Sequence, residues 1–146
     1  MTLRSSILCL LVYSLSSLNS LAIAGVEKRC SLFFSTGDVL REVRLAETQE
    51  QQLRGLSGQR YVESGMLFTF PRAQKLVFWM RDTPTALSVG FFDHNGVLFQ
   101  IEDMRPNSSE NHFSSKPAKD ALELAQGEFQ ALGLGLGSQI IRRDCR

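Results

Sequence analysis

The chain has 146 residues, 16 Lys+Arg against 15 Asp+Glu, and 43% hydrophobic content. That length suits one domain and leaves no room for a second sizeable one. A formal charge of +1 lacks the basic excess of a general nucleic-acid binder, and the apolar content is too high for a disordered tail.

Residues 1–24 have the layout of a secretory signal peptide. Arg4 supplies a short positive start, Ile7 to Leu21 is mostly apolar, and Ala22-Ile23-Ala24 forms a small-x-small cleavage site before Gly25. A membrane anchor is the poorer reading, because Ser14, Ser16, Ser17, Asn19 and Ser20 interrupt the apolar stretch. Removing these 24 residues, which carry one Arg and no acid, leaves 122 residues (25–146) of zero formal charge. The expectation is a single globular domain, exported to a periplasm or beyond the cell, with no transmembrane segment. Cys9 leaves with the leader, while Cys30 and Cys145 remain near opposite ends. An oxidising destination favours a Cys30–Cys145 disulfide over two separate or metal-binding thiols. Closing so long a loop is worth about 4–5 kcal/mol in the chain-entropy model.

Cys30 to Ser35 and Val39 to Ala46 read as strands around a Gly37-Asp38 turn. Thr48 with Gln51 forms a capping-box pattern that opens a helix ending at Gly55 and Gly58. Met66 to Phe70 is an apolar run expected to stop at Pro71, and Lys75 to Met80 is another. Leu87 to Phe92 and Val97 to Met104 flank Asp93-His94-Asn95-Gly96, where Asn95-Gly96 predicts a type I′ hairpin. Alternation in the second arm predicts one buried face. Arg105 to Pro117 reads as a polar loop, Ala118 to Leu124 as helix or strand, and Gly127 to Leu132 as one or two helical turns. Gln139 to Arg142 is a plausible closing strand. Six or seven short strands imply a mainly β fold: a small β-sandwich or barrel with one or two short helices.

Chemical signatures are sparse. His94 and His112 lie in a turn and a polar loop without metal-ligand spacing, and read as exposed loop residues. Gly55-Leu56-Ser57-Gly58 has the wrong spacing for a nucleophile elbow. Gly133, Gly135 and Gly137 lack the context of a phosphate loop, so no cofactor is implied. Met66, Met80 and Met104 fit core filling better than copper binding. The densest cluster is Trp79, Met80, Arg81, Asp82 and Thr83. It reads either as a ligand platform, with Trp79 stacking a ring and Arg81 and Asp82 fixing polar groups, or as a buried strand end with Trp79 in the core.

Several blocks occur in a telling order: Ala46-Glu47-Thr48, Arg54-Gly55-Leu56, Gly65-Met66-Leu67-Phe68-Thr69-Phe70, Phe78-Trp79-Met80-Arg81-Asp82-Thr83, and Leu122-Glu123-Leu124 with Gly127, Gly133 and Gly137. From about Val39 to Ile141 the chain resembles domain-of-unknown-function family 192. The resemblance implies a compact, mainly β fold of sandwich type and frequent export, and brings no established activity. Ser57 replaces a Met common in the family, Asp82 an Asn, Ser88 an Asp, and Ser138 an Asp. The absent carboxylate at Ser88 matters if the family used one there.

Two functional readings follow. The favoured one is a non-catalytic ligand-binding or accessory domain of the cell envelope, binding a small molecule or an envelope protein and no nucleic acid, centred on Trp79, Met80, Arg81, Asp82 and Thr83. The alternative is a small hydrolase using Asp82 with Arg81, or Asp103 with Glu102, as acid–base groups.

Overall fold

The computed structural model describes residues 27–146, so the expected leader lies outside the described residues. Nine strands and two short helices follow in order: β1 (Arg29–Phe34), β2 (Val39–Ala46), α1 (Gln49–Arg54), β3 (Met66–Gln74), β4 (Val77–Phe78), β5 (Leu87–Phe92), β6 (Leu98–Met104), β7 (His112–Phe113), β8 (Ala118–Ala125), α2 (Glu128–Ala131) and β9 (Ile140–Cys145). The fold is mainly β, as expected, with more strands than the six or seven read from the sequence. The ambiguous segment at 118 is a strand, and the polar loop after 105 contributes the short strand β7.

Seven strands form one sheet in the order β6-β5-β8-β3-β2-β1-β9, while β4 and β7 form a separate ribbon. All pairs are antiparallel except β2 with β3, which α1 connects. The sheet curls until its two edges meet at one end. Val97, just before β6, bridges Gln139, just before β9, and the Leu98 N–H donates to the Ser138 carbonyl at 2.8 Å. The result is a half-barrel.

Each face of this sheet carries its own core. The interior of the curl holds Leu32, Phe34, Val43, Leu67, Leu122 and Leu124, plugged by Phe129 of α2. The other face carries Phe68, Leu87, Val89, Phe91 and Met104, covered by Leu56, Val62, Leu76, Phe78 and Met80 from outside the main sheet. Met66, Met80 and Met104 all lie in this second cluster. A sheet covered on both sides cannot show strict alternation, and β6 is an example. Leu98 and Met104 are buried, while Phe99, Gln100 and Ile101 are all partly covered.

Two local expectations change. Pro71 does not stop β3, because the β3–β8 ladder lapses between Thr69↔Asp120 and Gln74↔Ala118. No rung there needs the missing N–H, and the Lys119 ammonium donates to the freed Phe70 carbonyl. The β5–β6 hairpin is not type I′. Of its four loop residues only Gly96 takes a positive φ, 77°. The Gly96 N–H donates to the Asp93 carbonyl, and the Asp93 carboxylate accepts from the Asn95 and Val97 N–H groups. An ordinary turn closed by a glycine bulge results.

The last strand, β9, is tied down twice. Cys30 and Cys145 are directly paired residues of β1 and β9 and form a disulfide across a sequence separation of 115. Arg143 of β9 makes a forked ion pair with Asp120 of β8, with Nη1 to Oδ1 at 3.0 Å. Asp120 is only 1% exposed. Three strands separate β8 from β9 in the sheet, so the curl itself creates this contact.

Replacing Cys30 and Cys145 by serine should lower unfolding free energy by about 3–5 kcal/mol in non-reducing urea titrations, and protein spanning residues 25–146 should show no free thiol under denaturing, non-reducing conditions. Arg143→Ala, by stranding a buried carboxylate, should cost about 3–5 kcal/mol in the same titration.

Candidate functional site

The segment from Leu76 to Arg81 alternates. Leu76, Phe78 and Met80 are buried, while Val77, Trp79 and Arg81 are exposed. This period of two sends one set of side chains into the core and the other outward. Trp79 is 43% exposed, which overturns the reading of Trp79 as a core residue. Met80 is fully buried in the apolar cluster, so this member of the expected platform faces away from it.

Trp79, Arg81, Asp82 and Thr83 line a cavity of about 430 Å³. The rings of Phe68, Phe70 and Phe78 form its apolar wall, and α1 contributes Gln49, Gln52, Leu53 and Arg54. The wall is anchored from behind by edge-on aromatic contacts, Phe68 to Phe78 at 5.0 Å and Phe78 to Phe91 at 5.8 Å between centroids. At the rim the Arg81 guanidinium lies 5.4 Å from the Trp79 ring centroid, within cation–π range.

Local chemistry explains how these residues are held. The capping box forms as the sequence predicts: the Gln51 N–H donates to Thr48 Oγ1, and Gln51 Oε1 accepts from the Thr48 N–H. Helix α1 buries no residue, and the Gln52 amide ties it to β3 by donating to the Thr69 carbonyl at 2.8 Å. Asp82 has φ of 55°, a conformation that Asp and Asn tolerate better than most residues. The Asn-to-Asp departure therefore keeps the backbone while adding a charge at the rim. The Asp82 carbonyl accepts from the Gly58 N–H at 2.7 Å. Thr83 is buried, and its hydroxyl donates to the Arg81 carbonyl at 3.2 Å.

The residue that sequence reading passed over is Glu123. It lies on β8, paired with Met66 of β3 on one side and Val89 of β5 on the other. It is 4% exposed and lines the cavity. Burial alone raises its carboxyl pKa from 4.5 to about 8; no neighbouring charge or hydrogen bond among the described residues offsets that effect. Gly65 makes this placement possible. Its φ is 71°, and a Cβ there would come within 2.1 Å of the Glu123 carbonyl oxygen. The Gly65-Met66 block and the Leu122-Glu123-Leu124 block are thus two sides of one close contact. A charged residue between two leucines in a strand was the available signal, since all three are buried.

The other acid–base candidates do not converge. Glu102 and Asp103 are consecutive strand residues and point to opposite faces. Glu102 pairs with His112 Nδ1 at 2.9 Å. Asp103 accepts from Ser88 Oγ at 2.6 Å and from the Gln126 amide at 3.0 Å. Neither lines the cavity with Asp82. His112 is buried on β7 opposite Phe78, contrary to the expected exposed loop, whereas His94 is exposed in its turn. Ser88 stands directly opposite Asp103, where a second carboxylate would repel the first. Among the described residues no group of three or more His, Cys, Asp or Glu side chains could hold a metal ion.

A family model described as an uncharacterized ACR, domain-of-unknown-function family 192, matches residues 33–141. The chain belongs to this family. Two crystal structures share its fold. A protein of unknown function from Novosphingobium aromaticivorans is 23% identical with a TM-score of 0.71, over 84% of this chain and 89% of that one. A protein from Sinorhizobium meliloti, described as a proposed transcription regulator, is 28% identical with a TM-score of 0.70, over 82% of this chain and 93% of that one. No functionally curated protein matches the sequence. Among the described residues no helix is long and apolar enough to cross a membrane.

The raised Glu123 pKa has a definite linkage. Between pH 4.5 and about 8 the folded chain holds a proton that the unfolded chain has released, so stability falls as pH rises through that window. Wild type should lose on the order of a few kcal/mol relative to Glu123→Gln between pH 5 and pH 8. Urea titrations at the two pH values check this.

Proposed function

We propose that this chain is an exported, non-catalytic binding domain of the cell envelope, a single globular unit left after removal of residues 1–24, and that its ligand is a small molecule. The observation that carries the reading is the cavity beside Trp79. It has the volume of a small-molecule site, an apolar wall and a few placed polar groups. The leader pattern and the 30–145 disulfide support export. The neutral charge of residues 25–146 leaves no field to draw in nucleic acid, so the regulator description of the Sinorhizobium relative is not carried over.

Thermal melts against a panel of sugars and ring-bearing metabolites test the binding reading. A true ligand at a hundredfold excess over Kd adds about 2.7 kcal/mol of stability. That gain should vanish in Trp79→Ala, whose own melting temperature should stay close to wild type because Trp79 is exposed. A panel with no stabilising member, or a gain that survives Trp79→Ala, would remove the proposal. Export predicts an N-terminus at Gly25 in the periplasmic or secreted form.

A carboxylate acid–base hydrolase is the second reading. One observation favours it: the buried acid Glu123 and the exposed carboxylate Asp82 line the same cavity, the kind of unequal pair that general acid–base chemistry uses. Its signature would be turnover lost in both Glu123→Gln and Asp82→Asn with binding retained.

A further inference from the structure

Glu123 presents a problem that the protein leaves open. Its side chain is buried and lines the cavity, and its carboxyl oxygens, which make no hydrogen bond among the described residues, open to the cavity rather than being sealed in the core. Buried polar groups in folded proteins are nearly always partnered. Asp120, three residues earlier on the same strand, shows the usual solution, an arginine fork. The partner of Glu123 is therefore to be sought in what enters the cavity.

The surroundings restrict that partner. Met66 and Val89 flank Glu123 along the sheet and carry no charge. The charged groups lining the same cavity are Arg54, paired with Glu50, and Arg81 and Asp82 at the rim. Burial without a nearby cation keeps the acid protonated near neutral pH. A protonated carboxyl presents an O–H donor beside a carbonyl acceptor. Its complement is a group with an acceptor beside a donor, such as a primary amide, a lactam or an amino-substituted nitrogen ring. A cation would have to displace the proton and lose its hydration in an apolar-walled space. The rings of Phe68, Phe78 and Trp79 call for a flat body on the ligand.

Taking the binding reading as its basis, we propose that the cavity takes an uncharged planar ring compound bearing an adjacent hydrogen-bond acceptor and donor, which pairs with the carboxyl of Glu123.

The sequence has one Trp, and it sits at the cavity rim, so its fluorescence reports occupancy directly. Benzamide and benzylamine are suitable probes: similar in size, one neutral with the acceptor–donor pair, the other cationic. Both are titrated into purified wild type, Glu123→Gln and Glu123→Leu from pH 5 to pH 9. Benzamide should bind wild type with constant affinity at low pH and weaken toward a tenfold loss per pH unit above about 8. Glu123→Gln, which keeps a donor beside an acceptor, should bind benzamide within several-fold of wild type and without that pH dependence. Glu123→Leu, of similar bulk, should lose roughly tenfold or more.

Benzylamine binding more tightly than benzamide and strengthening with pH would overturn the proposal in favour of a cation site. Saturable benzamide binding that is equal in Glu123→Leu would remove Glu123 from recognition while leaving the pocket intact. No saturable change in Trp79 emission with either probe would overturn the proposal, and the metabolite panel would then decide whether the pocket itself binds anything. Circular dichroism of Glu123→Leu establishes that the variant is folded, and Glu123→Gln serves as the independent test if it is not.

Discussion

A strand buried on both faces has no inexpensive place for a charge, and β8 is such a strand. From Asp120 to Leu124 every residue is buried. Leu122 and Leu124 fill the curl, and Ala121 lies under the covering layer. Yet this strand carries two acids. Asp120 is met by Arg143, which the curvature of the sheet brings over from β9. Glu123 makes no ion pair or side-chain hydrogen bond among the described residues and opens into the cavity. The first acid fastens the C-terminal strand to the centre of the fold; the second makes the cavity floor chemically distinct from its aromatic wall.

The same two-sided burial accounts for the remaining architecture. The inner face is sealed by curling, by α2 and by the strand that the disulfide fastens. The outer face is sealed by segments that are not part of the main sheet: the β4–β7 ribbon and the stretch from α1 to β3. Such a cover is made of alternating side chains, one set buried and one set free. Phe78 and Met80 hold the cover down, while Val77, Trp79 and Arg81 become the rim. Cavity-lining residues and core residues are thus interleaved along one segment, which is why the mixed chemistry around Trp79 reads in sequence as a single cluster.

The elements most legible in the sequence were those governed by short-range rules. The capping box at Thr48 and Gln51 is closed within four residues. The strand from Val39 to Ala46 was read with its observed bounds. Leu122-Glu123-Leu124 was legible as part of a family pattern, without any indication of what Glu123 did. His112 departs from its sequence expectation for a related reason. Its polar neighbours describe a loop, whereas its burial comes from Phe78 and Glu102, residues distant in sequence. Pro71 signals a strand stop in sequence, but its missing N–H matters only where a ladder rung exists, and the register of β8 decides that.

By itself the sequence determined family membership, a mainly β chain and the pair of cysteines available to cross-link its ends. Each depends on composition, local pattern or motif order. Only the tertiary structure decided that Trp79 is exposed while Met80 is not, that Glu102 and Asp103 part to opposite faces, and that Glu123 borders the cavity lined by Arg81 and Asp82. Those outcomes depend on which strands pair and how far the sheet curls. They set the burial of each polar group, and burial sets its protonation and whether it needs a partner.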